Sequence, residues 1–140
     1  ISTNFKVLQK CERLVHIPDI GYYYFQDNSG SITSGKLRKK DFDLLVASKE
    51  LCELSQQYQD RKLNNLAEVK LARSYFSLLA KAATGGIEKD IEYLTKNLRK
   101  NYKLLMNSPM PLNRKLFVTL ASINYKCIEL PYSVIRRIKR

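Results

Sequence analysis

The sequence predicts a mainly α-helical fold, in which a head made of a short helix and a β-hairpin is followed by a bundle of about four helices. Over residues 37–127, apolar side chains recur every three or four positions, which is the period of one helical face. Over residues 13–25, β-branched and aromatic residues form two short runs of the kind found in strands. A chain of 140 residues that is 44% apolar is long enough to bury a hydrophobic core.

The predicted head occupies the first 35 residues. Phe5, Leu8 and Cys11 have helical spacing and predict a short helix. Residues 13–17 and 20–25 then predict the two strands of the hairpin, and the turn-forming residues 27–31 follow. Because a lone two-stranded hairpin is marginal in water, we expect it to join a larger sheet. Its free edge also allows pairing with a second copy, so a homodimer is one expectation.

Apolar periodicity defines the four helices of the bundle, at residues 44–58, 69–83, 87–105 and 112–127. The second helix carries two apolar stripes, which predicts that it is central. Glycines 85 and 86 and the segment 107–111 with its two prolines are predicted to end the second and third helices. The apolar positions that share one face of the fourth helix are Leu112, Leu116, Leu120, Ile123 and Cys127.

Positive charge dominates the chain, and it is concentrated towards the C-terminus. The 25 basic and 13 acidic residues give a formal net charge of +12, of which residues 71–140 contribute +10. Such a surface is typical of a solvated helix face, a nucleic-acid-binding patch or a surface that rests on anionic lipid. The tail at residues 132–140 is aromatic, aliphatic and basic. Its predicted membrane-surface residues are Arg136, Arg137, Lys139 and Arg140.

No catalytic residue and no metal ligand is predicted within this chain. The single histidine, His16, lies in a predicted strand and is interpreted as structural or surface-exposed. Asp41 and Asp43 stand at the start of a predicted helix, where carboxylates cap free backbone N–H groups. The cysteines are odd in number and widely spaced, which indicates free thiols. They are Cys11, Cys52 and Cys127.

Two features of the sequence bear on where the protein is located and on whether the chain is part of a longer protein. No apolar run approaches the roughly 18 residues needed to cross a bilayer, and no secretory leader opens the sequence. We therefore expect a cytoplasmic location. A peripheral position at the inner face of the plasma membrane is a further option. The first residue is Ile1, and the opening residues enter amphipathic structure directly. We therefore expect the chain to be part of a longer protein.

The segment ERLVHIPDIGYYYFQDNSGSIT, residues 12–33, resembles a segment of bacterial family 2 glycosyltransferases. The resemblance is carried by residues 14–17, by the three tyrosines at 22–24 and by Gly-Ser-Ile-Thr at 30–33. It is clearest over residues 5–55 and continues more weakly to the C-terminus. The family commonly has arginine after the tyrosines, where this chain has Phe25.

The resemblance implies a nucleotide-sugar transferase of the glycosyltransferase A-type fold that builds surface polysaccharide. Residues 1–35 would then end the α/β catalytic domain, and residues 36–140 would form a C-terminal helical domain. The Mg²⁺ or Mn²⁺ ion and the catalytic base of the family would lie upstream of Ile1, so the isolated chain is expected to be inactive. The donor would be a nucleotide sugar, and the acceptor a glycan or a lipid-linked molecule. Ser31, Lys36 and Arg38 are the residues expected to contact substrate.

A different class of function stays open as the alternative. A stand-alone basic helical module would bind nucleic acid and would stack bases on the aromatic residues 22–25. We rank this alternative second because the chain holds no helix-turn-helix, zinc-finger or ribonucleoprotein motif.

Overall fold

A computed structural model describes residues 2–15, 18, 36–83, 85 and 87–128, and this part of the chain is mainly helical. Its helices are α1 (Ser2–Leu8), α2 (Asp43–Gln56), α3 (Arg61–Ala82), α4 (Glu88–Lys100), α5 (Tyr102–Asn107) and α6 (Leu112–Ile123). A 3₁₀ turn, Lys39–Phe42, leads into α2. The helical bundle predicted from apolar periodicity is therefore confirmed.

The predicted β-hairpin is not supported. No strand occurs in the part of the chain that the structure describes, and residues 13–15, the start of the first predicted strand, have no regular secondary structure. Nearly all the rest of the hairpin lies outside the described residues. The described part of the chain supplies no sheet for it to join, and a two-stranded hairpin without such a partner gains little from its own pairing.

Helix α3 is the central helix, as its two apolar stripes predict. Asp60 caps its N-terminus, since one carboxylate oxygen accepts hydrogen bonds from the backbone N–H groups of Lys62 and Leu63. The helix packs against α2 on one side and α4 on another. Its buried residues are Ala67, Val69, Ala72, Ser74, Tyr75, Phe76, Leu78, Leu79 and Ala82.

The contact between α2 and α3 is made by small residues. Ser48 and Ser74 are buried, and their hydroxyl oxygens lie 2.9 Å apart. Ser48 also hydrogen-bonds the carbonyl of Leu44, and Ser74 that of Lys70, so both polar groups are satisfied in the core. Small side chains allow the two helix backbones to approach closely.

The third predicted helix is interrupted at Asn101, where the structure separates α4 from α5. Asn101 has φ −97° and ψ 9°, outside helical geometry. Its side-chain amide donates a hydrogen bond of 2.8 Å to the carbonyl of Asn97, one turn earlier. The Asn97 carbonyl also accepts the backbone N–H of Asn101, and the Asn101 carbonyl accepts the N–H of Leu105. The break is therefore a local change of backbone angles at Asn101 and not a loss of helical hydrogen bonds. The apolar pattern continues across Asn101 and gives no sign of it.

The last helix, α6, presents a different face to the core from the stripe seen in the sequence. Its buried residues are Val118 and Ala121, on the side opposite that stripe. Leu112, Leu116 and Ile123 of the stripe are exposed, and Cys127 beyond the helix is exposed too. Leu120 of the stripe is half-buried and packs against the core. Because α6 is apolar on both sides, periodicity cannot determine which side packs.

Helix α1 packs on α2. The Phe5 and Tyr58 rings meet edge to face with centroids 6.1 Å apart, and Lys6 forms a 3.0 Å ion pair with Glu50.

The division of the chain at residue 35 stays a prediction. None of the helices in the described ranges is both long and apolar enough to cross a lipid bilayer.

The Tyr75 phenol in the core supplies a test of the packing. Burial, together with the neighbouring Tyr93 hydroxyl, raises the pKa of Tyr75 to about 12. An unfolded tyrosine ionises near pH 10. Between about pH 10 and 12, Tyr75 is therefore ionised in the unfolded chain but neutral in the folded one. The stability of the fold decreases as pH rises through this range.

We predict that Tyr75→Phe makes this alkaline loss of stability shallower, because the variant has no phenol to ionise on unfolding. Urea unfolding between pH 9 and 11 measures the effect. Tyr58→Phe is the control, since Tyr58 is 50% exposed. An unchanged slope in Tyr75→Phe would show that Tyr75 is not held in its neutral form by the core.

Candidate anion-binding groove

A cationic groove lies between α3 and the start of α6. Lys70, Arg73 and Ser77 share one face of α3, since they are spaced by three and four residues. Arg114 approaches from the first turn of α6. The groove has a volume of about 440 Å³.

The floor of the groove is apolar. Phe76 and Met110 are almost fully buried there, and Leu44 of α2 is half-buried beside them. Met110 belongs to the segment between α5 and α6, where Ser108 caps the carbonyl of Leu105 with a 2.7 Å hydrogen bond. The proline-containing linker thus closes one side of the groove and positions Arg114.

Among the described residues, the three cations of the groove have no acidic partner. Lys70, Arg73 and Arg114 are exposed, and the described residues form no ion pair with any of their side chains. None of the residues that line the groove is acidic. Positive charges that converge without neutralisation attract an anion, and arginine in particular forms paired hydrogen bonds with phosphate or carboxylate oxygens.

A second cavity, of about 430 Å³, has mixed charge and is a weaker candidate. It lies near the N-terminus of α3 and contains both Arg61 and Glu68. Asn64 also lines this cavity, and its Oδ1 atom is buried with no hydrogen-bond partner among the described residues. A cation and a carboxylate together do not favour one sign of ligand.

Two of the three residues predicted to contact substrate can be placed, and neither lines the cationic groove. The aliphatic part of Lys36 packs over Gly85, which has φ +127° and follows the end of α3. A Cβ atom at Gly85 would come within 3.1 Å of the Lys36 side chain, so only glycine suits this corner. Arg38 precedes the 3₁₀ turn. Their role in substrate binding stays a prediction.

The remaining predicted site residues, Ser31, Arg136, Arg137, Lys139 and Arg140, lie outside the described residues, as do the aromatic residues 22–25 and His16. The basic cluster that the structure does bring together was not foreseen. Lys70, Arg73 and Ser77 form a polar stripe on a predicted helix, so their shared face is visible in the sequence. The approach of Arg114 depends on how α6 packs, and no local pattern reveals it.

Asp41 has the capping role expected of it. Its carboxylate accepts a 2.7 Å hydrogen bond from the backbone N–H of Arg38. It also forms a 2.7 Å ion pair with the ammonium group of Lys81. Both side chains of the pair are mostly buried. Partial desolvation raises the pKa of Asp41. The hydrogen bonds from Lys81 and Arg38, together with their positive charges, lower the pKa by more than desolvation raises it. The pKa of the carboxyl therefore lies below its usual value.

The thiols are free, as their spacing predicts. Cys11 and Cys127 are exposed, and Cys52 is partly buried. Burial, assisted by the charges of Glu68 and Glu53, raises the pKa of the Cys52 thiol, which stays protonated at neutral pH. In the described residues no three His, Cys, Asp or Glu side chains gather into a group that could hold a metal ion.

In comparisons with known protein families, with curated proteins and with solved structures, no match to this chain was found. The residues of this chain are therefore the guide to its function. What they provide at the groove is positive charge above an apolar floor, a combination suited to binding an anionic group attached to a hydrocarbon.

We predict that Asp41→Asn lowers the free energy of unfolding at pH 7 by about 1.5–3 kcal/mol, since a charged hydrogen bond to a mostly buried partner is lost. The folded pKa of Asp41 is depressed, so its contribution is present above the unfolded pKa of about 3.9 and is lost as pH falls through the folded value. Urea unfolding at pH 7 and pH 2.5 should give a large difference from wild type at the first pH and a small one at the second.

Lys6→Gln is the matched control for this measurement. It removes an ion pair whose two side chains are 54% and 41% exposed, so it should cost less than about 1 kcal/mol. Equal losses in the two variants would contradict a special role for the Asp41–Lys81 pair.

Proposed function

We propose that this chain is the C-terminal helical region of a nucleotide-sugar-dependent glycosyltransferase of cell-surface polysaccharide synthesis, and that it binds the phosphate-bearing end of a lipid-linked acceptor. The observation that carries the binding role is the groove, in which Lys70, Arg73 and Arg114 surround an apolar floor without an acidic residue. Catalysis is assigned to a domain upstream of Ile1.

The transferase origin is supported by the resemblance of residues 12–33 to bacterial family 2 glycosyltransferases. A mainly helical structure after residue 36 fits the helical extension expected there. The proposal locates the protein in the cytoplasm, at the inner face of the plasma membrane where lipid-linked acceptors are found. The donor would be a nucleotide sugar held by the upstream domain.

The choice of acceptor follows from the two halves of the groove. A phosphate monoester or diester supplies the negative charge that the three cations lack. A hydrocarbon attached to it gains free energy by covering Leu44, Phe76 and Met110, at about 25 cal/mol per Å² of apolar surface removed from water. A lipid-linked phosphate satisfies both requirements, whereas an uncharged glycan satisfies neither.

The Mg²⁺ or Mn²⁺ ion of such a transferase would neutralise the departing nucleotide diphosphate. The described residues supply no donor set that fits it, so the proposal derives no step through a metal in this chain. The contribution of the helical region is to hold and orient the acceptor. Within the groove, Arg73 and Arg114 would bind phosphate oxygens, and Lys70 would add charge.

We predict that farnesyl phosphate, below its critical micelle concentration, binds the chain at least tenfold more tightly than inorganic phosphate, while farnesol binds weakly. Arg73→Gln should reduce the affinity for farnesyl phosphate about fivefold to tenfold, because one charged hydrogen bond at a partly exposed site contributes about 1–1.4 kcal/mol to the binding free energy. Isothermal titration calorimetry measures both effects.

Lys89→Gln is the control, because Lys89 is an exposed cation on α4 that does not line the groove. An equal effect of the two substitutions would mean that only the overall charge matters. A single-stranded oligonucleotide is titrated in parallel. If it binds more tightly than farnesyl phosphate and depends on Arg73, the nucleic-acid alternative replaces the acceptor proposal.

A separate prediction concerns activity. Incubation of this chain with nucleotide sugars, Mn²⁺ and glycan or lipid-phosphate acceptors should give no sugar transfer, since the catalytic base and the metal site are assigned to the upstream domain. Product analysis by mass spectrometry measures this. Appreciable transfer would overturn the assignment.

The origin itself can be tested on the coding sequence. The reading frame before the codon for Ile1 should encode a strand-rich region with an acidic metal-binding motif of the Asp-x-Asp type. A start codon directly before Ile1 would remove the transferase origin and leave the groove as the site of a stand-alone binding protein.

A further inference from the structure

The outer face of α6 is apolar, and the described residues leave it uncovered. Leu112, Leu116 and Ile123 are 83%, 60% and 67% exposed. Their spacing places them within one narrow face of the helix. The opposite face holds the buried Val118 and Ala121. A surface helix normally turns its polar side to solvent, so an apolar stripe in this position indicates that something else contacts it.

Basic side chains lie at the C-terminal end of this stripe and beside it in the sequence. Residues 94–128 contain seven basic side chains and no acidic one. The guanidinium of Arg99 on α4 donates hydrogen bonds to the carbonyls of Ser122 and Ile123, so it lies at the C-terminal end of the stripe. Lys115 precedes Leu116, and its ammonium bonds the carbonyl of Met106. Lys126 is exposed three residues after Ile123.

The charge distinguishes between the surfaces that could cover the stripe. A second copy of the chain, related by a two-fold axis, would bring these basic side chains against the same side chains of its partner, and like charges would repel. A nucleic acid would pair with the cations but would leave the three aliphatic side chains in water. An anionic lipid surface satisfies both, because head groups attract the cations while the aliphatic side chains enter the boundary of the acyl chains.

We infer that the outer face of α6 lies on an anionic phospholipid surface, with Leu112, Leu116 and Ile123 inserted among the lipids and the neighbouring cations against the head groups. The helix lies on the membrane and does not span it. This surface is separate from the cationic groove, and the inference does not depend on the transferase origin. It places the lipid contact on α6, in addition to the basic residues expected in the C-terminal tail.

The first test is co-sedimentation with vesicles of phosphatidylcholine alone, or with 30% phosphatidylserine. We expect the wild-type chain to bind the anionic vesicles selectively, and Leu116→Gln with Ile123→Gln to reduce the partition coefficient at least fivefold. Because both side chains are exposed, the fold should be retained, which circular dichroism checks. Val46→Gln with Leu66→Gln is the matched control, since these residues are 66% and 53% exposed on α2 and α3.

A second measurement reports the position of the stripe directly. The chain contains no tryptophan, so Leu116→Trp introduces a single probe. Its emission should shift to shorter wavelength on anionic vesicles and should be quenched by lipids brominated on the acyl chain. Val46→Trp should show neither change. Equal behaviour of the two probes would overturn the inference.

Two further outcomes would overturn it. If replacing the four tail cations by glutamine abolishes vesicle binding while the Leu116 and Ile123 double variant binds like wild type, the tail alone makes the contact. If analytical ultracentrifugation shows a wild-type dimer that the double variant dissociates, with vesicle binding unchanged, α6 is a contact between copies.

Discussion

The burial of α3 on several sides is the constraint on which the rest of the structure depends. A helix in the centre of a small bundle must be apolar around most of its circumference, and it must allow its neighbours to come close. Helix α3 meets the second requirement with alanine and serine, and the contact of Ser48 with Ser74 provides hydrogen bonds for the hydroxyls so enclosed. The polar stripe that α3 retains, with Lys70 and Arg73, is therefore confined to the gap between neighbouring helices, and that gap is the cationic groove.

Charged and apolar side chains are arranged differently in two places, which explains why the molecule has two distinct candidate surfaces. At the groove, cations stand at the rim of a buried floor, which favours a small amphiphilic ligand. On α6 the aliphatic side chains project outward and Arg99 lies at the C-terminal end of the helix, which favours an extended surface. The two surfaces would act together at a membrane, because a lipid-linked phosphate and the lipids around it are found at the same interface.

Much of the helical architecture follows from the sequence, because local signals determine it. The apolar period locates α2, α6 and the part of α3 from Val69 onward, and the glycine pair after α3 marks its end. The break at Asn101 was not predictable from periodicity, since the apolar pattern continues across it and only the backbone angles of Asn101 change. The packed side of α6 was not predictable either, because the helix is apolar on both sides. The groove combines both situations: its α3 stripe can be found in the sequence, whereas Arg114 reaches it only through tertiary packing.

The corner at Gly85 has a mechanical consequence. The backbone N–H of Leu37 donates to the carbonyl of Gly85, and Asp41 is joined to Lys81, so the segment that leads into α2 is fastened to the end of α3 at two points. A displacement of the chain at residue 36 is therefore transmitted to the central helix directly, without first bending α2. Because Lys70 and Arg73 belong to the same helix, the position of the groove is tied to the position of this corner.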